Sequence, residues 1–209
     1  AQRIDKFDSS GKFLKTWGGW EKGNGVFNYP LGIAIDNLND SIYIADFKNF
    51  LIQKFDINGT FITSWGYSDR VYTIFNGGDG SFCFPASLTT DNEGNVYFLR
   101  SDSYYLGDPE LRRVQKFNAD GAFLLSWNYS TFHASAAMQG ILYNHYNGYL
   151  YIANTPNNKI QYFNPNGTFI GEFGGQGNTD VKFNSPSRMA YDPRNGDIYV
   201  VDSGNNRIQ

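Results

Sequence analysis

The sequence predicts an all-β chain built by repetition, on three observations. First, four short runs between Phe27 and Gly66 read as strands: Gly32–Asp36, Ile42–Asp46, Leu51–Phe55 and Phe61–Trp65. Each is rich in Ile, Tyr, Phe or Trp and is bounded by Asn, Asp or Gly, which is how a strand between tight turns is written. Second, the same four-strand wording returns along the chain. Third, none of the 209 residues belongs to a stretch of sustained helical periodicity. A single meander of this kind cannot bury both faces of its sheet, so its recurrence implies sheets stacked about a shared axis.

The elements follow in order. Residues 3–18 match only the second half of the unit, and 27–66 is its first complete copy. The copy over 82–128 sets Phe84-Pro85 against Tyr29-Pro30 and Val96–Arg100 against Ile42–Asp46. The copy over 133–174 keeps Leu150–Asn154, Lys159–Asn164 and Gly167–Phe173, while its first strand, near Gly140–Asn144, lacks the proline. The last copy, 183–209, ends at the start of a third strand.

A turn glycine recurs at Gly11, Gly59, Gly121 and Gly167, where a tight hairpin needs a positive φ. A closing aromatic recurs at Trp17, Trp65, Trp127 and Phe173, with steps of 48, 62 and 46 residues. Four strands per period of this size mark a propeller blade rather than a helical solenoid. The expected fold is therefore an all-β propeller of four-stranded antiparallel blades, three complete and two partial.

Composition narrows the function classes. A net charge of −3 offers no general basic field for nucleic acid. Cys83 is the single cysteine, so an internal disulfide and a thiolate zinc cluster are both excluded. No apolar run approaches the roughly 20 residues that span a bilayer.

The phrases YIADFKNFLIQKFDINGTFITSWG and YVVDSGNNRIQ, with FNYPLGIAID ahead of them, resemble the NHL-repeat propellers. The closeness of the repeats to one another resembles the arrays of extracellular microbial and archaeal proteins, which implies an extracellular or cell-surface setting. The resemblance also implies a six-bladed parent, longer than this chain. Arg3-Ile4 and Arg207-Ile208 occupy the same place in the repeat, so a fragment is expected, with missing blades or another chain completing the ring.

Two connections are unusually long, 67–81 and 101–110, and both are expected on one face of adjoining blades. Loops expanded on one face of a repeat scaffold are where binding specificity collects. Arg70, Tyr72, Phe75, Arg100, Asp102, Tyr104 and Tyr105 form the candidate binding patch for a protein or glycan, with packing of these aromatics onto the rim as the plain alternative.

Asp46, Asn154 and Asp202 end second strands and stand three residues before Asn49, Asn157 and Asn205, a spacing that suits local turn bonding more than ligand binding. The two histidines, His133 and His145, are not expected to share a metal, no cofactor is expected, and calcium is left open because Asp and Asn are abundant. No catalytic residue is assigned. Sequons at Asn39, Asn58, Asn128 and Asn166 offer possible glycosylation sites. The leading expectation is a non-catalytic binding scaffold. Its alternatives are a lyase or lactonase of the related six-bladed kind, with part of its site outside this chain, and an RNA-binding NHL domain.

Overall fold

The computed structural model describes residues 2–20, 23–66, 80, 85–100, 113–128 and 140–209, with the side chain of Arg100 outside that set. Among the described residues seventeen strands form five antiparallel sheets. The first sheet pairs β1 (Arg3–Phe7) with β2 (Phe13–Gly18). Three complete four-stranded blades follow: β3 (Pro30–Asp36), β4 (Ser41–Asp46), β5 (Leu51–Asp56) and β6 (Phe61–Gly66); then β7 (Pro85–Thr90), β8 (Val96–Arg100), β9 (Arg113–Phe117) and β10 (Phe123–Asn128); then β11 (Ile141–Asn144), β12 (Tyr149–Asn154), β13 (Lys159–Phe163) and β14 (Phe169–Gly174). The last sheet holds β15 (Pro186–Tyr191), β16 (Ile198–Asp202) and β17 (Arg207–Ile208). The two end sheets are not hydrogen-bonded to each other. Three complete and two partial propeller blades are thus what the chain forms.

Strand alternation sends successive side chains to opposite neighbours, and the core consists of the layers between blades. Tyr43, Ala45 and Ile52 of one blade meet Leu88, Phe98 and Phe117 of the next. Tyr97, Leu99 and Val114 meet Ile141, Tyr143 and Leu150 in the same way, and Tyr151, Ala153 and Ile160 meet Phe183 and Val200. The consequence of lacking a neighbour is visible at β3. Ile33 is 54% exposed, whereas its register counterparts Leu88 and Ile141 are 5% and 6% exposed. The first sheet supplies only outer strands, which cover Ile42, Ile44 and Phe55 through Ile4 and Trp17 and leave Ile33 bare.

A wedge repeats between successive blades. The indole of Trp17 lies over Gly59, that of Trp65 over Gly121 and that of Trp127 over Gly167; a Cβ on these glycines would fall 2.7, 2.6 and 2.8 Å from the ring. All three glycines have positive φ, so the turn and the wedge both demand glycine. Gly11, with φ of 83°, has nothing within 4 Å, because no described blade precedes it. Lysines fasten the same seams: Lys6 Nζ donates to the Ile57 carbonyl and Lys54 Nζ to the Ala119 carbonyl, each at 2.9 Å.

Candidate functional site

The second-strand acidic residues do the structural work that their spacing suggests. Asp46 Oδ1 accepts from the backbone N–H of Asn28 at 2.8 Å, and Oδ2 accepts from Asn49 and Gln53. Asp202 repeats this with Asn184 N–H at 2.7 Å and with Asn205, Arg207 and Gln209. Each carboxylate therefore ties the incoming connection to its blade. Their titration differs for a physical reason. Burial raises the pKa of Asp46, against the opposing bonds from Asn28, Asn49 and Gln53. Burial also pushes Asp202 up, but bonds from Asn184, Asn205, Arg207 and Gln209 outweigh it and leave its pKa lowered. Leu51 stands where the last blade has Arg207, and Asp46 forms no ion pair among the described residues. Asn154 is the neutral version: its Nδ2 donates to Gln161 and its Oδ1 accepts from Asn157.

Asp91 forms the most enclosed charged cluster described. It accepts from the backbone N–H groups of Glu93 and Asn95, from the Asn95 amide and from the Tyr97 hydroxyl at 2.7 Å, with Lys116 Nζ at 3.3 Å. Burial raises its pKa, yet the Asn95 and Tyr97 bonds prevail and it is lowered overall. Glu93, Asn95, Tyr97 and Lys116 all direct donors at this carboxylate, so the cluster braces the turn between β7 and β8.

The space at the propeller axis is a cleft of about 360 Å³ lined by inner strands of four sheets. Ile33, Ile35, Leu88, Ile141 and Met189 give it apolar walls, while Ser87 and Arg188 line it at the N-terminal end of those strands, and His145 and Tyr191 at the C-terminal end. His145 Nδ1 lies 2.6 Å from Asn92 Oδ1, and its ring stacks on Tyr191 at 5.9 Å and meets Tyr143 edge-on. Burial lowers the His145 pKa, against the raising influence of Asp91 and Asp36. Among the described residues no group of three or more His, Cys, Asp or Glu side chains could hold a metal ion.

Of the candidate patch, Arg70, Tyr72, Phe75, Asp102, Tyr104 and Tyr105 lie outside the described residues. Arg100 closes β8 opposite Pro85, and its side chain also lies outside them. His133 and Cys83 lie outside them too. The sequon asparagines Asn39, Asn58, Asn128 and Asn166 are all exposed, although the Asn39 amide is committed to Asp36 at 2.7 Å. Arg188, which the sequence reading passed over, was signalled by register: it occupies the place held by Gly32, Ser87 and Gly140 in the preceding blades.

The NHL-repeat family model matches residues 27–55 and 183–209. The chain carries NHL repeats. Both matched NHL segments start at the aromatic that leads into the inner strand and include an Asp, Asp46 or Asp202, with its Asn partner. No curated protein matches the sequence. Among solved structures, virginiamycin B lyase from Staphylococcus aureus superposes with a TM-score of 0.63 at 17% identity, covering 99% of this chain and 58% of that one. A streptogramin B lyase gives 0.63 at 17% identity, covering 100% of this chain and 61% of that one. A protein of unknown function from Bacteroides caccae gives 0.59 at 14% identity, covering 100% and 68%. The NHL chain spans less than two thirds of the length of the two lyases, and at this identity the likeness concerns the fold.

Proposed function

We propose that this NHL propeller is a non-catalytic scaffold that binds a protein, glycan or other surface ligand through the face carrying its long connections. The observation that carries the reading is a contrast between equivalent links. Second and third strands are joined by 47–50, 155–158 and 203–206 in three blades, but by 101–112 in the fourth. Likewise 67–84 links β6 to β7 where 19–29 and 175–185 serve elsewhere. In an antiparallel meander these two kinds of link leave from the same strand ends, so the strands that both long segments connect end on one face of adjoining blades. Tyr72, Phe75, Tyr104 and Tyr105 supply contact area there, and Arg70, Arg100 and Asp102 supply directed bonds. Exposed sequons support an extracellular or cell-surface setting.

The test is a glycan array probed with the chain and with a Tyr104→Ala/Tyr105→Ala variant, alongside melting temperatures. Lost capture at unchanged melting temperature supports the patch; equal capture by a folded variant refutes it.

The lyase reading has one observation in its favour, the superposition on streptogramin-type lyases. One of these is described as a catalytically inactive variant bound to quinupristin. Incubation of this chain with quinupristin and mass spectrometry of the product decides the point, and consumption of intact quinupristin would overturn the non-catalytic reading. RNA binding is disfavoured because the net charge is −3 and several described cations are already engaged: Lys6 and Lys54 hold carbonyls, and Lys116, Lys159, Arg194 and Arg207 hold carboxylates.

A further inference from the structure

We infer that the axial cleft holds a second ligand site, distinct from the long-loop patch, in which Arg188 anchors the carboxylate of a small organic acid with an apolar body. The register of the inner strands explains why an arginine stands here. At Gly32 a Cβ would press on the Ala86 carbonyl and Ser87 Cα, and at Gly140 it would run into the Ser187 carbonyl, because the following inner strand passes close by. Ser87 fits the same place as a small residue and is 4% exposed. At β15 this restriction is absent among the described residues, and the position carries Arg188 instead.

Its side chain runs back past Gly140 to β7, two sheets before its own, where Nη1 donates to Ser87 Oγ at 3.1 Å. That is its single described hydrogen bond, and it takes part in no described ion pair. A guanidinium carries five N–H donors, so four have no partner among the described residues, in a half-buried setting. Among the cleft-lining residues there is no Asp, Glu or Lys, and Arg188 is the one permanently charged side chain. One guanidinium matches a monoanionic carboxylate through two parallel bonds, whereas a phosphate monoester brings about two charges at neutral pH.

The rest of the cleft selects the body of the acid. From Arg188 to Tyr191 the strand advances roughly 10 Å, past Ile33, Ile35, Ile141 and Met189 to the rings of Tyr191 and His145. A volume of 360 Å³ suits a small ligand rather than a chain segment. An arylalkanoate of this length places its carboxylate on Arg188 and its ring beside Tyr191.

The probe is 4-phenylbutanoate, titrated calorimetrically into the chain at constant ionic strength, with 4-phenylbutanamide as the uncharged control. Millimolar binding of the acid and no measurable binding of the amide are expected. Arg188→Lys keeps the charge but loses the fork and weakens binding about tenfold, while Arg188→Met abolishes it. Equal binding of acid and amide, no binding of the acid to the wild-type chain, or undiminished binding to Arg188→Met overturns the inference. If Arg188→Met unfolds, the acid-against-amide comparison and Arg188→Lys decide. The long-loop patch is untouched by these variants, so failure here leaves that reading standing and failure there leaves this one.

Discussion

Substitution of Gly121 by alanine tests how blades are held together. Gly121 has φ of 84°, and a Cβ there would lie 2.6 Å from Trp65 Cδ2. The indole has little room to retreat, since it packs on Tyr43 at 5.9 Å and on Phe117 at 6.2 Å between ring centroids. The backbone contribution of alanine at positive φ is about 1 kcal/mol. Overpacking against a fixed side chain adds about 1 to 3 kcal/mol, so Gly121→Ala should destabilise by roughly 2 to 4 kcal/mol. Removing the indole by Trp65→Ala takes away the clash and leaves the backbone strain. Gly121→Ala should then cost only about 1 kcal/mol in that background, giving a coupling of at least about 1 kcal/mol. Urea unfolding followed by far-ultraviolet circular dichroism on the four chains of the cycle measures it. Gly11→Ala is the control, because the same φ is present there with open space around it. Additivity within about 0.5 kcal/mol would refute the wedge.

Three further outcomes follow from named contacts. Asp91→Asn should destabilise by about 3 kcal/mol at pH 7, since it leaves Lys116 buried without its carboxylate. The folded-state pKa of Asp91 lies below the ordinary aspartate value of 3.8, so its contribution is present above that value and is lost as pH falls through the folded pKa; urea midpoints between pH 7 and pH 3 should fall less steeply in the variant. Asp202→Asn should cost more than Asp46→Asn, about 3 against about 1 kcal/mol, because Arg207 loses its charge partner while Asp46 has none. For Asp46 the raised pKa means a contribution that is greatest below pH 3.8 and lost as pH rises through the folded value, so thermal melts of Asp46→Asn and wild type should diverge in opposite senses to the Asp202 pair as pH is lowered. Trp127→Phe should cost about 1 kcal/mol or less against about 3 to 5 for Trp127→Ala, because the buried Trp127 Nε1 has no hydrogen-bond partner among the described residues and Phe173 holds the same place in the next blade. Thermal unfolding of both variants checks this.

Much of the scaffold was legible because its determinants are local. Strand, turn and period are written within a few residues, and the Asp46–Asn49 and Asp202–Asn205 spacings announced bonds that form as expected. The turn glycines were legible for their φ but not for their second duty, since Trp65 meets Gly121 across a blade boundary. The boundary also hid Arg188: its partner Ser87 stands 101 positions away. A register alignment of Gly32, Ser87, Gly140 and Arg188 contains the clue, yet its meaning depends on how closely one inner strand approaches the next. The loop patch remains a reading of the sequence, because its residues lie outside those described.

The sequence by itself determined the repeated blade, the count of complete and partial blades and the structural part played by the second-strand carboxylates, all of which rest on interactions within one meander. Only the tertiary structure decided which residues the seams demand and which the axis exposes. Ile33, Leu88 and Ile141 look interchangeable in the repeat, but the first is left in the open and the other two are covered. The reason is that burial in a propeller belongs to the pair of adjacent sheets, and no single blade's sequence records the presence of its neighbour.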